Sequence, residues 1–248
     1  MTAVLPRLIV TAAVGSFDGL ESAMANIGWS VERRALIRFG PPSDWGPFDR
    51  AVAQLDQFQA VVVTSPRAAE VLSERLPQER YHVPLWVVGN RSGDRLEGLF
   101  ETVHYLGDNP AEGGSAEALA DQMLSASVKS PVLFPCGSQR RDGLIERLES
   151  AGVKVREEEC YRTLLASPDA ARVACHGAEA ILVASPSVAA LVASACNQGA
   201  RPALVAIGPT TAAAARGAGW PPDAVATSPT PDGIRSALDS LQKGHPFA

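Results

Sequence analysis

An α/β fold of two similar, doubly wound parallel-sheet domains is what this 248-residue sequence predicts, and three observations predict it. Short apolar runs rich in Val, Ile and Leu recur along the chain without alternation, as in strands buried on both faces. Helix-like stretches separate them, the order that builds parallel sheets by crossover connections. The second half of the chain also repeats the first. Val61-Val62-Val63-Thr64-Ser65-Pro66-Arg67 returns as Ile181-Leu182-Val183-Ala184-Ser185-Pro186-Ser187, and Trp86-Val87-Val88-Gly89 returns as Val205-Ala206-Ile207-Gly208. Pro110 to Leu119 answers Pro229 to Leu238, and Leu8-Ile9-Val10 with Asp18-Gly19-Leu20 answers Val132-Leu133-Phe134 with Asp142-Gly143-Leu144. The offset of about 120 residues far exceeds the 20–50 of solenoid repeats, so it marks a duplicated half-molecule. A ligand site is therefore expected in the cleft between two similar domains.

Taken in order, the apolar runs place strands at 8–11, 60–64, 85–88, 102–106, 132–135, 180–184, 204–207 and 224–227. Helices are expected at 17–27, 49–57, 66–75, 93–99, 115–125, 142–151, 187–195, 210–218 and 231–242, several preceded by a small or hydroxyl residue suited to a helix N-cap. Two mixed polar stretches, Val31–Arg38 and Val153–Thr163, break the alternation at matching places in the repeat, and a paired two-stranded connector is expected of them. On that reading residues 1–35 and 165–248 form a discontinuous first domain and 40–159 the second, with connectors at 34–40 and 159–166. The alternative is two contiguous tandem domains meeting near residue 128, where Ser125–Ser130 resembles a linker.

Composition narrows the class. With 46% hydrophobic and 20% charged residues the chain is globular, and a net charge of −5 argues against nucleic acid as a partner. Nineteen of the 22 basic residues are Arg, a bias read as genomic. Cys136, Cys160, Cys175 and Cys196 lack CxxC spacing and are expected as free, mostly buried thiols in a reducing compartment. The N-terminal apolar stretch is too short for a signal peptide or a membrane span, so a cytoplasmic protein is expected.

Open parallel sheets bind ligands beyond the carboxyl ends of their strands. Here those ends carry Thr64-Ser65-Pro66-Arg67, Gly89-Asn90-Arg91-Ser92, Pro135-Cys136-Gly137-Ser138, Ala184-Ser185-Pro186-Ser187 and Gly208-Pro209-Thr210-Thr211. Such residues cap helices, and the N–H groups and dipole ends beside them favour anions. No GxGxxG follows a strand and no P-loop occurs, and Gly137–Gly143 has the wrong spacing. His82, His104, His176 and His245 stand in no catalytic context, and Ser65 and Ser185 have no base nearby in sequence. Glu157-Glu158-Glu159 is expected to alternate in an exposed strand. Any chemistry then needs neither a metal nor a strong protein nucleophile.

Assembled in order, these segments resemble the uroporphyrinogen-III synthase family over nearly the whole chain. The resemblance rests on VVVTSPRAAEVL at 61–72, VLFPCGSQRRDGLIERLESAGVKVREEECYRT at 132–163, ILVASPSVAALV at 181–192 and ALVAIGPTTAAAARGAGW at 203–220. It implies two flavodoxin-like α/β domains joined by a two-stranded connector. It also implies an activity: hydroxymethylbilane, a linear tetrapyrrole with eight carboxylates, loses its terminal hydroxyl and closes with inversion of its last ring. Substrate supplies both electrophile and nucleophile, so no cofactor or metal is implied. By the same resemblance Tyr161 is the candidate to assist departure of the hydroxyl. Thr64, Ser65, Arg67, Gly89, Ser92, Gly137, Ser185, Gly208, Thr210 and Thr211 are candidate substrate-binding positions. The resemblance further implies a monomer, in transient contact at most with the preceding deaminase.

Two departures stand out. Many members have an arginine after the first strand where this chain has Thr11-Ala12-Ala13, and the middle-domain glycine turn, usually followed by Thr, leads here to Ser92. The alternative function is a catalytically silent paralogue that binds a tetrapyrrole or another polyanion in a regulatory role.

Overall fold

A computed structural model describes residues 5–106, 116–139, 142–196 and 201–244. The chain begins with β1 (Arg7–Val10), α1 (Leu20–Ala25) and β2 (Ser30–Arg33), then continues through β3 (Ile37–Gly40). There follow α2 (Gly46–Val52), β4 (Ala60–Val63), α3 (Pro66–Arg75), β5 (Leu85–Val87), α4 (Asn90–Asp94) and β6 (Val103–Tyr105). Next come α5 (Ala116–Ser125), β7 (Val132–Gly137), α6 (Gly143–Ser150) and the long β8 (Val155–Leu165). The remainder is α7 (Pro168–Cys175), β9 (Ala180–Val183), α8 (Pro186–Ala195), β10 (Ala203–Ala206), α9 (Pro209–Gly217), β11 (Ala224–Val225) and α10 (Pro231–Gly244).

Backbone contacts divide the chain into two units, Met1–Arg38 with Leu164–Ala248, and Phe39–Thr163. The strands form a five-stranded sheet in the order β11-β10-β9-β1-β2 and a six-stranded sheet in the order β3-β8-β7-β4-β5-β6. Neighbours from β8 to β6 in the second sheet, and throughout the first, pair in parallel. Strands β3 and β8 are neighbours, and each runs across a boundary between the units. The α/β class and the doubly wound parallel sheets expected from sequence are therefore present. The sequence repeat reappears as topology: β8-β7-β4-β5-β6 corresponds strand for strand to β2-β1-β9-β10-β11.

Burial on both faces explains the unbroken apolar runs. In β4, Val61 and Val63 pack with Phe48, Leu72 and Leu85 on one face, while Ala60 and Val62 pack with Trp86, Leu119 and Leu144 on the other. The first sheet repeats this: Ile181 and Val183 join the layer of α7, α8 and α9, and Ala180 and Leu182 join that of α1 and α10. Successive strand side chains point to opposite faces, so a run of four apolar residues feeds two cores at once.

Several local expectations change. Helix α7 lies where none is expected from the apolar pattern, although Ser167, Pro168 and Asp169 make a readable start: Ser167 Oγ accepts from the Ala170 N–H at 3.2 Å. The stretch Val31–Arg38 is two short strands in two sheets rather than one connector strand. The expected helix 49–57 starts earlier, at Gly46, and ends at Val52 before a separate 3-10 turn at Leu55–Gln57. Glu158 is buried, not exposed, because β8 is flanked by β3 and β7; its Oε1 accepts from Arg156 Nε at 2.7 Å. The cysteines form no disulfide, and Cys136, Cys160 and Cys175 are buried. His82 is exposed beside Glu101, His104 stacks on Trp86 at 4.0 Å between centroids, and His176 is exposed. His245, the segment Pro110–Ser115 and Arg140-Arg141 lie outside the described residues.

Candidate active site

The unit Phe39–Thr163 has its topological switch point between β4 and β7: the chain steps outward through β5 and β6 on one side and to β8 on the other. In open α/β sheets the carboxyl ends flanking that point are where ligands bind. Thr64 and Ser65 follow β4, Gly137 ends β7, and Tyr161 lies opposite Gly137 on β8. Tertiary pairing thus gathers residues nearly 100 positions apart.

Ser65 does two things. Its backbone is extended (φ −134°, ψ 130°) and Pro66 opens α3, the geometry of an N-cap, with Oγ accepting from the Arg67 N–H at 3.2 Å. The same Oγ lies 3.1 Å from the Tyr161 hydroxyl, and either hydroxyl can donate. When Ser65 donates, its remaining lone pair still serves the cap and Tyr161 keeps its own O–H proton for another acceptor. Burial raises the Tyr161 pKa above the usual tyrosine value, while the Ser65 hydrogen bond, and more weakly the charge of Arg67, pull the other way. The phenol is therefore protonated at neutral pH, within hydrogen-bond reach of Ser65.

The other expected residues of this unit divide. Arg67 has NH1 2.5 Å from Glu70 Oε2, one helical turn on, so its guanidinium is already paired, and its Nε is buried without a hydrogen-bond partner. Glu70 also lies 3.5 Å from Arg95. Thr64 is partly exposed at the end of β4. Gly89 opens α4 at φ 77°, in the left-handed region that favours glycine. Ser92 is 1% exposed and its Oγ has no hydrogen-bond partner, so its hydroxyl faces the protein interior.

In the other unit the switch point falls between β1 and β9. Ser185 caps α8, its Oγ accepting from the Val188 N–H at 3.3 Å and lying 3.2 Å from Ser187 Oγ. Gly208 has extended backbone and caps α9, which Pro209 opens; Thr210 is exposed there, and Thr211 is turned inward at 4% exposure. Thr11, where the resembling family often has arginine, is fully buried and donates from Oγ1 to the Leu182 carbonyl at 2.6 Å. That hydroxyl ties β1 to β9 across the switch point.

Three neighbours in the site have no place among the residues expected from sequence. Phe39 on β3 meets the Tyr161 ring edge-on, with centroids 5.6 Å apart and planes at 88°. Cys160 sits beside Tyr161 in the core, its thiol directed at the Cys136 carbonyl at 3.4 Å. Glu70, the partner of Arg67, alone has a signal in the sequence, its three-residue spacing on a helix.

The two serine caps separate capping from catalysis. Ser65→Ala and Ser185→Ala should each lower stability by about 1 kcal/mol through loss of a helix cap. Only Ser65→Ala should also lower kcat/KM, by about tenfold or less. Chemical denaturation and steady-state kinetics on both variants check this; equal kinetic losses would deny Ser65 its special relation to Tyr161.

Fold and site together define a class: an α/β protein of two doubly wound units, with a tyrosine–serine hydroxyl pair at a strand-end switch point. The family model described as uroporphyrinogen-III synthase HemD matches residues 18–235, and the chain belongs to the uroporphyrinogen-III synthase family. A uroporphyrinogen-III synthase of Synechococcus elongatus is 25% identical over 197 residues, 73% of this chain and 70% of its own length. Among solved structures, the uroporphyrinogen-III synthetase of Helicobacter pylori superposes with a TM-score of 0.62 at 14% identity, covering 96% of this chain and 100% of that one. A mutant uroporphyrinogen III synthase of Thermus thermophilus gives 0.61 at 15%, covering 96% and 98%. At these identities the structural likeness speaks for the fold.

Proposed function

We propose that this chain is an active uroporphyrinogen-III synthase, a cofactor-free lyase that cyclises hydroxymethylbilane with inversion of the last ring and loss of water. The observation that carries this reading is the Tyr161–Ser65 hydroxyl pair, 3.1 Å apart at the switch point of the second sheet. Tyr161 gives its proton to the departing hydroxyl, which leaves as water, and Ser65 donates to the phenolate that remains. The substrate becomes an N-protonated azafulvene cation. The substituted carbon of its last ring attacks that electrophile to give a spiro intermediate, which fragments and recloses; the proton lost at ring closure balances the one given by Tyr161. Enzyme groups otherwise orient the chain.

In the unit Phe39–Thr163 the N-terminal end of α3, where Ser65 stands, supplies N–H groups for substrate carboxylates, each worth roughly 0.3–1 kcal/mol when exposed. In the other unit the ends of α8 and α9, where Ser185 and Thr210 stand, offer groups of the same kind. A small-molecule substrate, a monomeric cytoplasmic enzyme and at most transient contact with the preceding deaminase complete the proposal. Among the described residues no helix is long and apolar enough to cross a membrane.

The test couples the protein to a deaminase supplied with porphobilinogen and separates the type I and type III products. Type III isomer in excess of the uncatalysed level is expected, and its rate should survive exhaustive chelation and dialysis, because the substrate provides both reacting partners. Only type I product at the uncatalysed level would remove the enzyme assignment and favour the silent paralogue. Activity lost on chelation and restored by one metal would overturn the metal-free mechanism.

A further inference from the structure

Strand β8 is out of step with β7 at one place. Val155 to Glu159 pair one for one with Val132 to Cys136, but the next partner of Gly137 is Tyr161, so Cys160 is an extra residue on β8. A bulge of this kind bends its strand and re-aims the side chain that follows. Cys160 itself is fully buried, and its thiol is directed at the Cys136 carbonyl. The Ser138 N–H donates to the Tyr161 carbonyl at 3.0 Å and locks the register beyond the bulge.

The redirected phenol lies across Gly137. A Cβ on Gly137 would stand 2.5 Å from Tyr161 Cζ, 2.6 Å from Cε2 and 2.8 Å from the hydroxyl oxygen. These distances are far inside van der Waals contact, so the space a methyl group needs is already filled by the reacting end of the ring. Gly137 is not among the glycines with positive φ, so its backbone suits any residue and the demand for glycine is steric. Phe39 adds a T-shaped contact to the same ring, and Ser65 receives the hydroxyl.

We infer that Gly137 is a positioning residue for Tyr161: its missing side chain is the seat of the phenol, the Cys160 bulge aims the ring into it, and Phe39 walls it. The inference deepens the proposed function, resting on Tyr161 as proton donor, and it moves Gly137 from substrate contact to support of the acid. A methyl group at Gly137 drives the hydroxyl off Ser65 without touching the substrate carboxylates. A shift of about 1 Å in a reacting group costs up to some hundredfold in rate.

Gly137→Ala should therefore lower kcat by about tenfold or more with KM little changed. Combining it with Tyr161→Phe should add no further loss to Tyr161→Phe alone, because both act through one hydroxyl. An absorbance titration of the three tyrosines, with Tyr161→Phe as the subtraction control, should show the Tyr161 titration displaced in Gly137→Ala, because both its burial and its Ser65 hydrogen bond change. Phe39→Leu, at a partly exposed position the fold tolerates, should lower kcat in the same sense and serves if Gly137→Ala does not fold. Unchanged kcat and an unchanged Tyr161 titration in these variants would overturn the seat. So would a double variant whose loss is the product of the two single losses. If Tyr161→Phe is itself fully active, proton donation fails while the titration still decides whether Gly137 seats the ring.

Discussion

Tyr161→Phe should lower kcat by about a hundredfold while KM stays within a few-fold, the low end of general acid assistance. The substitution removes one oxygen and keeps the ring, so the packing on Gly137 and against Phe39 survives. What disappears is the hydroxyl that lies 3.1 Å from Ser65 Oγ in a half-buried, strand-end setting. Loss should sit at the low end because the substrate hydroxyl departs readily even in water, and the remaining N–H groups still hold the carboxylates. Since burial raises the phenol pKa, the alkaline limb of kcat owed to Tyr161 should lie above the ordinary tyrosine value of about 10 and be absent from Tyr161→Phe. Steady-state kinetics across pH with isomer separation makes the measurement. A fully active Tyr161→Phe beside an inactive Ser65→Ala would reverse the roles and put the chemistry on the serine.

Phe48→Ala should cost about 3–5 kcal/mol of stability, in the top range for a single apolar truncation. Phe48 is fully buried in the layer formed by α2, α3 and one face of β4 and β5, and truncation leaves a cavity where a phenyl ring stood. Against a total stability of about 5–15 kcal/mol that is a large fraction. Leu182→Ala in the other unit should cost about 2–5 kcal/mol by the same reasoning. Each unit has its own two-faced core, so the two variants should melt different parts of the chain first. Hydrogen exchange then locates the opening: Phe48→Ala should expose amides of β4 and β5 ahead of those of β9 and β10, and Leu182→Ala the reverse. Identical exchange patterns in both variants would show that the chain unfolds as one cooperative body.

Much of the fold is legible in the amino-acid sequence, and the reasons are particular. Ala60–Val63 and Ala180–Val183 read as buried strands because four consecutive apolar residues satisfy two cores only in a sheet covered on both faces. Ser65-Pro66 and Ser185-Pro186 read as helix starts because a hydroxyl at the cap and a proline after it act within two or three residues. Helix α7 carries the same kind of signal at Ser167-Pro168, so its start is written in the chain even though the apolar pattern does not announce it. Glu158 is different: a run of three glutamates looks solvated until β3 is laid beside β8, and nothing local announces that neighbour.

By itself the sequence determined the class of most elements, the duplication and the strand ends that carry polar groups, because these depend on propensity, periodicity and spacing along the chain; Tyr161 stood out only through the family resemblance. Tertiary structure alone decided how the site is assembled. Sheet order brings β8 next to β7 and β7 next to β4, so Tyr161 meets Ser65 across 96 positions. A one-residue bulge at Cys160 turns the ring onto Gly137, and β3 adds Phe39. It also turned Thr211 and Ser92 inward. Strand order and register are set by long-range pairing, in which a single inserted residue changes what a side chain faces, and that information is spread over the whole chain rather than written beside the residue it governs.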